Sequence, residues 1–193
     1  MNQTGTLLRY FDCRGRGQPL RYALSELSPG FEDARVPLDG FPGTWMEMKK
    51  DRSKAGPFGA LPLLVQDGVE VAQSLVIADF LTRRHDQHPS DEGARLRIQM
   101  ATAAAYSDLI EPYAQLLWQA PVGDPEAFRR RVDFFVSQVR AKHAQLETLL
   151  AQRPGVYFGG ERPVVGDYFV YEALCMGELV LGPHVGDLLA QLP

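Results

Sequence analysis

Three short stretches of this chain carry residue types whose spacing could grip a small peptide and its charges. Gly56-Pro-Phe-Gly-Ala-Leu-Pro62 ends in a Leu-Pro pair at the entry to a short apolar strand. X-Pro bonds tolerate cis far better than others do. The Leu61-Pro62 pair therefore suggests a fixed turn that can be cis, leaving the Leu61 N–H and C=O facing outward to pair with another extended chain. After an Asp67-Gly68 turn, Val71-Ala-Gln73-Ser74 opens an apolar helix. Ser74 stands where a helix cap belongs, so its hydroxyl and the unpaired N–H groups behind it would hold a small carboxylate. Trp45-Met-Glu-Met-Lys49 sets an indole donor and an ammonium on one side of a helical turn, where both can reach one anion. Taken alone, Trp45 equally suits an anchor for an amphipathic surface turn, and Phe41-Pro42 offers a competing alignment.

The elements that must position these groups follow from periodicity and turn residues. A first strand is predicted over 6–11, with Gly15 and Gly17 punctuating the turn into a helix over 19–27 whose Leu20, Leu24 and Leu27 share a face. Pro29-Gly30 ends that helix, and 31–36 alternates as a second strand. The stretch 37–58 is irregular apart from one helical turn near 45–50. A hairpin over 61–65 and 69–72 crosses Asp67-Gly68, and a third helix starts at Ser74. The polar stretch 84–90 reads as a linker. It separates a unit over 1–83, ordered βαβ and then ββα, from an all-helical unit over 91–193. Long helices are predicted over 91–118 and 124–152, the second opening on an Asp124-Pro125 cap, and a buried helix over 165–174 with Asp167 near its start. Pro112 should kink or interrupt the first, because it removes a backbone donor.

Composition narrows the function classes. With 193 residues, 45% of them apolar, the chain can build one large core or two small ones. A net charge of −4 and a pI near 5.6 argue against nucleic acid or an acidic membrane surface as partner. Cys13 and Cys175 are the only cysteines, without CxxC or Cys/His metal spacing, which favours a reducing compartment and no metal. The first residues lack a basic flank and apolar run, and no stretch approaches membrane length, so a cytoplasmic location is expected.

The order βαβ-ββα, the Leu-Pro strand entry, Gln73-Ser74 at a helix start and the helical second half together resemble the cytosolic glutathione S-transferases. Tyr10-Phe-Asp-Cys-Arg-Gly-Arg16, followed by Arg21-Tyr22, resembles the first-strand motif of their tyrosine-type classes, closest to sigma. That resemblance implies a thioredoxin-like α/β domain followed by an all-α domain. It covers about 6–85 throughout, and beyond that mainly Val165-Gly166-Asp167 and the helix after it. Tyr10, by itself a core tyrosine, would donate a hydrogen bond to the glutathione sulfur. Bonding to the charged form lowers a thiol's pKa, at about 1.4 kcal/mol per unit. Arg16, by itself a solvated helix-start charge, would favour the thiolate further. Leu61 would pair with the cysteinyl residue beside Ala60 and Pro62. Gln73 and Ser74 would take the γ-glutamyl end, and Trp45 and Lys49 the glycyl carboxylate. Glutathione is then the co-substrate, with no other cofactor, and the partner is a small hydrophobic electrophile.

The resemblance has gaps with consequences. Ala60 stands where relatives carry Gln or Lys, which removes a side-chain contact to glutathione. Val170 and Ala173 replace a Ser/Thr-x-x-Asp capping box, so Asp167 is expected to cap that helix. The chain stops at Pro193, short of the family's usual end, so helices closing the electrophile pocket are expected to be missing. Relatives pair as homodimers in which an acid on the first long helix reaches the neighbour's glutathione, and Asp108 is the candidate by position, equally suited to a solvated helix acid. Two other readings stand beside the transferase. One is a non-catalytic carrier of glutathione or a hydrophobe. The other is thiol-disulfide exchange by Cys13, which an exposed, low-pKa thiol would favour.

Overall fold

The computed structural model describes residues 5–39, 42–119, 125–152 and 155–181. Contacts divide the chain into two compact units, Met1–His88 and Pro89–Pro193.

In the first unit Thr6–Phe11 (β1) is an inner strand, and Leu8 and Tyr10, two apart, are buried together as strand alternation requires. Glu32–Val36 (β2) runs parallel to it, with Tyr10 opposite Arg35. Leu63–Gln66 (β3) lies antiparallel on its other side, and Val69–Ala72 (β4) completes the order β2-β1-β3-β4. A parallel neighbour demands a crossover. Here a 3-10 turn over Gly15–Gly17 and the helix Gln18–Leu27 (α1) provide it. Leu20 and Leu24 of α1 are fully buried, as are Ile77 and Leu81 of Ser74–Arg84 (α4) and Leu8, Leu63 and Leu64 of the sheet. Each such side chain contributes about 1.5–3 kcal/mol. Asp67 and Gly68, at φ 49° and 80°, make the expected tight turn between β3 and β4.

Two local expectations change. Strand β3 begins at Leu63 rather than 61: the Leu61–Pro62 peptide is cis, and Pro62 has no N–H to give a ladder. The stretch read as nearly irregular holds two short helices, Gly43–Met48 (α2) and Arg52–Ala55 (α3). The unforeseen α3 owes its start to Asp51, whose carboxylate accepts the Ser53 N–H at 3.0 Å.

The second unit holds Glu92–Ala104 (α5), Glu111–Gln119 (α6), Pro125–Ala151 (α7) and Val165–Leu181 (α8). The interruption expected in the helix over 91–118 takes the form of a π-helical turn over Ala105–Ile110 that joins α5 to α6. Pro112 accounts for it. It cannot donate, and the wider spacing upstream lets the Glu111 N–H reach the Tyr106 C=O instead. Helix α8 outruns its expected end because apolar residues continue through Met176, itself 2% exposed. Asp167 caps α8 as expected, accepting the Val164 N–H at 2.8 Å and the Phe158 N–H at 2.9 Å. Burial nonetheless pushes its carboxyl above the ordinary aspartate range, against the downward pull of those bonds. Asp124 lies outside the described residues.

Candidate active site

Strand β1 ends by turning Tyr10 inward, and the chain then wraps round its ring. The ring is 6% exposed and its hydroxyl accepts the Arg16 N–H at 3.0 Å. Gly15 and Gly17 leave the room for this. A Cβ on Gly15, whose φ is already +40°, would stand 2.7 Å from the Tyr10 oxygen, and one on Gly17 would fall against the ring carbons. A phenol that accepts an N–H keeps its proton to donate elsewhere. Arg16 also offers its C=O, which accepts the Ser74 hydroxyl at 3.4 Å. One exposed residue thus ties the tyrosine of β1 to the first residue of α4.

Ser74 is not the cap that the sequence suggests. Gln73 occupies the N-cap at φ 73°, ψ 121° without a side-chain cap bond, and Ser74 is already helical and 2% exposed. With Gln73 at the cap, the helix starts one residue earlier than a Ser74 cap would have it, and the serine hydroxyl is committed to the Arg16 C=O instead. A non-glycine residue in that conformation stores about 1–3 kcal/mol and tends to be kept where function needs it. Gln73 itself is exposed.

Leu61 is 6% exposed and clusters with Tyr10, Val36 and Leu63. Pro62 is buried beside it and Ala60 half-buried before it. Trp45 is half-buried against the same cluster, its ring edge-on to Phe11 at 5.1 Å. It therefore anchors α2 on the cluster that holds Leu61. The Lys49 N–H closes the helical turn on the Trp45 C=O at 2.9 Å, stacking the two side chains one turn apart. Lys50 pairs with Glu47 and Lys54 with Asp51, whereas exposed Lys49 has no ion-pair partner among the described residues. Phe41 lies outside the described residues. Tyr10, Arg16, Ser74, Leu61 and Trp45 are brought together. Gln73 and Lys49 flank them.

Sequence reasoning passed over Arg21 except as part of a motif. It is 4% exposed and its guanidinium binds Asp33 and the carbonyls of Phe11 and Cys13. Cys13 is only half-exposed, and burial pushes its thiol above the ordinary cysteine range, with Arg21 opposing and Asp12 adding to the rise. The exposed, low-pKa thiol that disulfide exchange wanted is not what the fold provides.

Comparison with known proteins fits this arrangement. No family model matches. "Probable glutathione S-transferase 7" of Caenorhabditis elegans is 27% identical over 183 residues, covering 94% of this chain and 79% of that protein. Mouse "Hematopoietic prostaglandin D synthase" is 25% identical over 190 residues, covering 96% and 85%. These similarities run over nearly the whole chain and support a cytosolic glutathione S-transferase. In fold, the sigma-class transferase of Fasciola hepatica superposes with a TM-score of 0.75 at 21% identity, over 98% of this chain and 90% of that one. The transferase architecture of a thioredoxin-like domain followed by a helical one is therefore present. In the helical unit of this transferase Asp108 lies in the π-helical turn, where its carboxylate meets the Lys142 ammonium at 2.7 Å. Among the described residues no group of three or more His, Cys, Asp or Glu could hold a metal, and no helix is long and apolar enough to cross a membrane.

Proposed function

We propose that this transferase ionises the thiol of bound glutathione through Tyr10 and joins the sulfur to a small hydrophobic electrophile. The observation that carries this reading is the Tyr10 hydroxyl held at 3.0 Å by the Arg16 N–H. In this reading the phenol donates its O–H to the glutathione sulfur, which favours the thiolate over the thiol. The thiol proton leaves to solvent. The sulfur lone pair then forms a C–S bond, and either a leaving group departs with its electron pair or the adduct takes up a proton. Arg16 adds a permanent cation beside the sulfur.

Around that centre, Leu61 pairs main-chain groups with the cysteinyl residue next to Ala60 and Pro62. The Gln73 side-chain amide and the N–H groups at the start of α4, at Ser74, receive the γ-glutamyl carboxylate. Trp45 and the ammonium of Lys49 receive the glycyl carboxylate. Glutathione is the co-substrate and no further cofactor enters. We also infer that it works in the cytoplasm as a homodimer, with Asp108 turned to a partner's glutathione only if it parts from Lys142.

The test is a pH titration of the glutathione-saturated protein, following thiolate ultraviolet absorbance in wild type and Tyr10→Phe. A bound thiol pKa well below the ordinary value of about 8.5, restored by the substitution, is expected. Binding without a shift would replace the catalyst by a carrier.

A further inference from the structure

We propose that Arg21 is a positioning residue for Tyr10, setting the ring and the turn that holds its hydroxyl. The proposal rests on the reading of Tyr10 given above. Arg21 makes directed bonds to three separate segments. Its Nε donates to both carboxylate oxygens of Asp33 at 3.0 and 3.1 Å. Nη1 donates to the Cys13 C=O at 2.7 Å and, more loosely, to Gln18 at 3.4 Å. Nη2 donates to the Phe11 C=O at 2.9 Å. The guanidinium carbon also lies 5.7 Å from the centre of the Tyr10 ring, within cation–π range.

Packing alone does not require this. An apolar side chain of similar volume fills a core without the desolvation penalty of a buried cation. What the fork adds is geometry. The Phe11 and Cys13 carbonyls bracket the bend by which the chain leaves β1 for the Gly15–Gly17 turn, and that turn delivers the Arg16 N–H to the Tyr10 oxygen. Asp33 fixes the fork from β2, the strand paired with β1. Arg21 therefore grips the bend from one side and the ring from the other. Lysine, a point charge on a flexible stem, cannot satisfy three directions with one planar group.

The experiment compares wild type, Arg21→Lys, Asp33→Asn and Tyr10→Phe as full chains by two readouts. One is the Tyr10 resonance in protein labelled at the tyrosine ring carbon that bears the hydroxyl, recorded without glutathione. The other is the pH profile of kcat/KM for chlorodinitrobenzene at saturating glutathione. The expected result for folded Arg21→Lys is a moved Tyr10 resonance and a rate profile displaced to higher pH. The displacement should reach about one unit, a loss of about tenfold at neutral pH, with KM for glutathione little changed. A folded Arg21→Lys with both readouts at wild-type values overturns the proposal. Should Arg21→Lys fail to fold, Asp33→Asn, which keeps the guanidinium and loosens its anchor, decides by the same two readouts in the same directions. If Tyr10→Phe retains the wild-type profile, the Tyr10 mechanism fails. The resonance, which needs neither glutathione nor turnover, then settles the positioning role alone.

Discussion

Tyr10 and Ser74 are far apart in sequence yet meet on one residue: the Arg16 N–H donates to the Tyr10 oxygen at 3.0 Å, and the Arg16 C=O accepts the Ser74 hydroxyl at 3.4 Å. The group proposed to ionise the thiol and the helix start proposed to hold the γ-glutamyl end are therefore set by a single peptide segment. Small shifts in that turn would move both.

The first prediction concerns the phenol itself. A hydrogen bond to a charged group is worth about 1.5–3 kcal/mol, so Tyr10→Phe should slow conjugation about 10- to 100-fold near neutral pH. The ring stays and packing survives, so the glutathione dissociation constant should barely move. Steady-state rates and calorimetric binding on the same samples check both halves. Equal rates would remove Tyr10 from the mechanism.

The site was legible in part because its groups lie on elements with strong local signals. The Leu61-Pro62 pair, the Asp67-Gly68 turn and the alternation of β1 all follow from local stereochemistry. The start of α4 did not. Ser74 looked like the cap because serine caps helices, whereas the cap is Gln73 at a positive φ that its residue type does not announce. Arg21 was opaque for a similar reason. Its partners Asp33, Phe11 and Cys13 become neighbours only when β2 pairs with β1. Pro112 announced an interruption, but the π-helical form of it depends on which carbonyl the Glu111 N–H can reach.

A methyl group at residue 17 should be poorly tolerated. The Cβ of Gly17→Ala would fall on the Tyr10 ring, and neither the ring, 6% exposed, nor the turn has room to yield. Overpacking of this kind costs about 1–3 kcal/mol. The urea midpoint should drop accordingly, and activity should fall even in the folded fraction because the ring moves. A variant with wild-type stability and rate would show that the turn is softer than its contacts suggest.

At Gln73 stability and function should separate. Glycine accepts a φ of 73° without strain, so Gln73→Gly should leave the thermal midpoint unchanged or raise it. It also removes the amide proposed to meet the γ-glutamyl end, so glutathione should bind about tenfold more weakly, as expected for one hydrogen bond to a charged group. Differential scanning and binding calorimetry on one preparation decide the matter. Weaker binding accompanied by an equal loss of stability would mark Gln73 as merely structural.

Acid should weaken the helical unit through His143. Its imidazole is 3% exposed, neither ring nitrogen has a hydrogen-bond partner among the described residues, and burial holds its pKa below the ordinary histidine value. In the unfolded chain the same ring takes up a proton near its usual pKa of about 6.5. Below that pH the unfolded state binds more protons than the native one, so stability falls as pH drops. The loss proceeds from about pH 6.5 down to the depressed native pKa, at up to about 1.4 kcal/mol per pH unit. Above about pH 7.5 the ring is neutral in both states and contributes no slope. His143→Leu removes the titrating group from a buried site on α7, so its urea midpoint should decline less between about pH 7.5 and about pH 5.5 than that of wild type. Parallel declines in the two proteins would mean that His143 finds a proton-accepting neighbour in the native state and does not drive the acid limb.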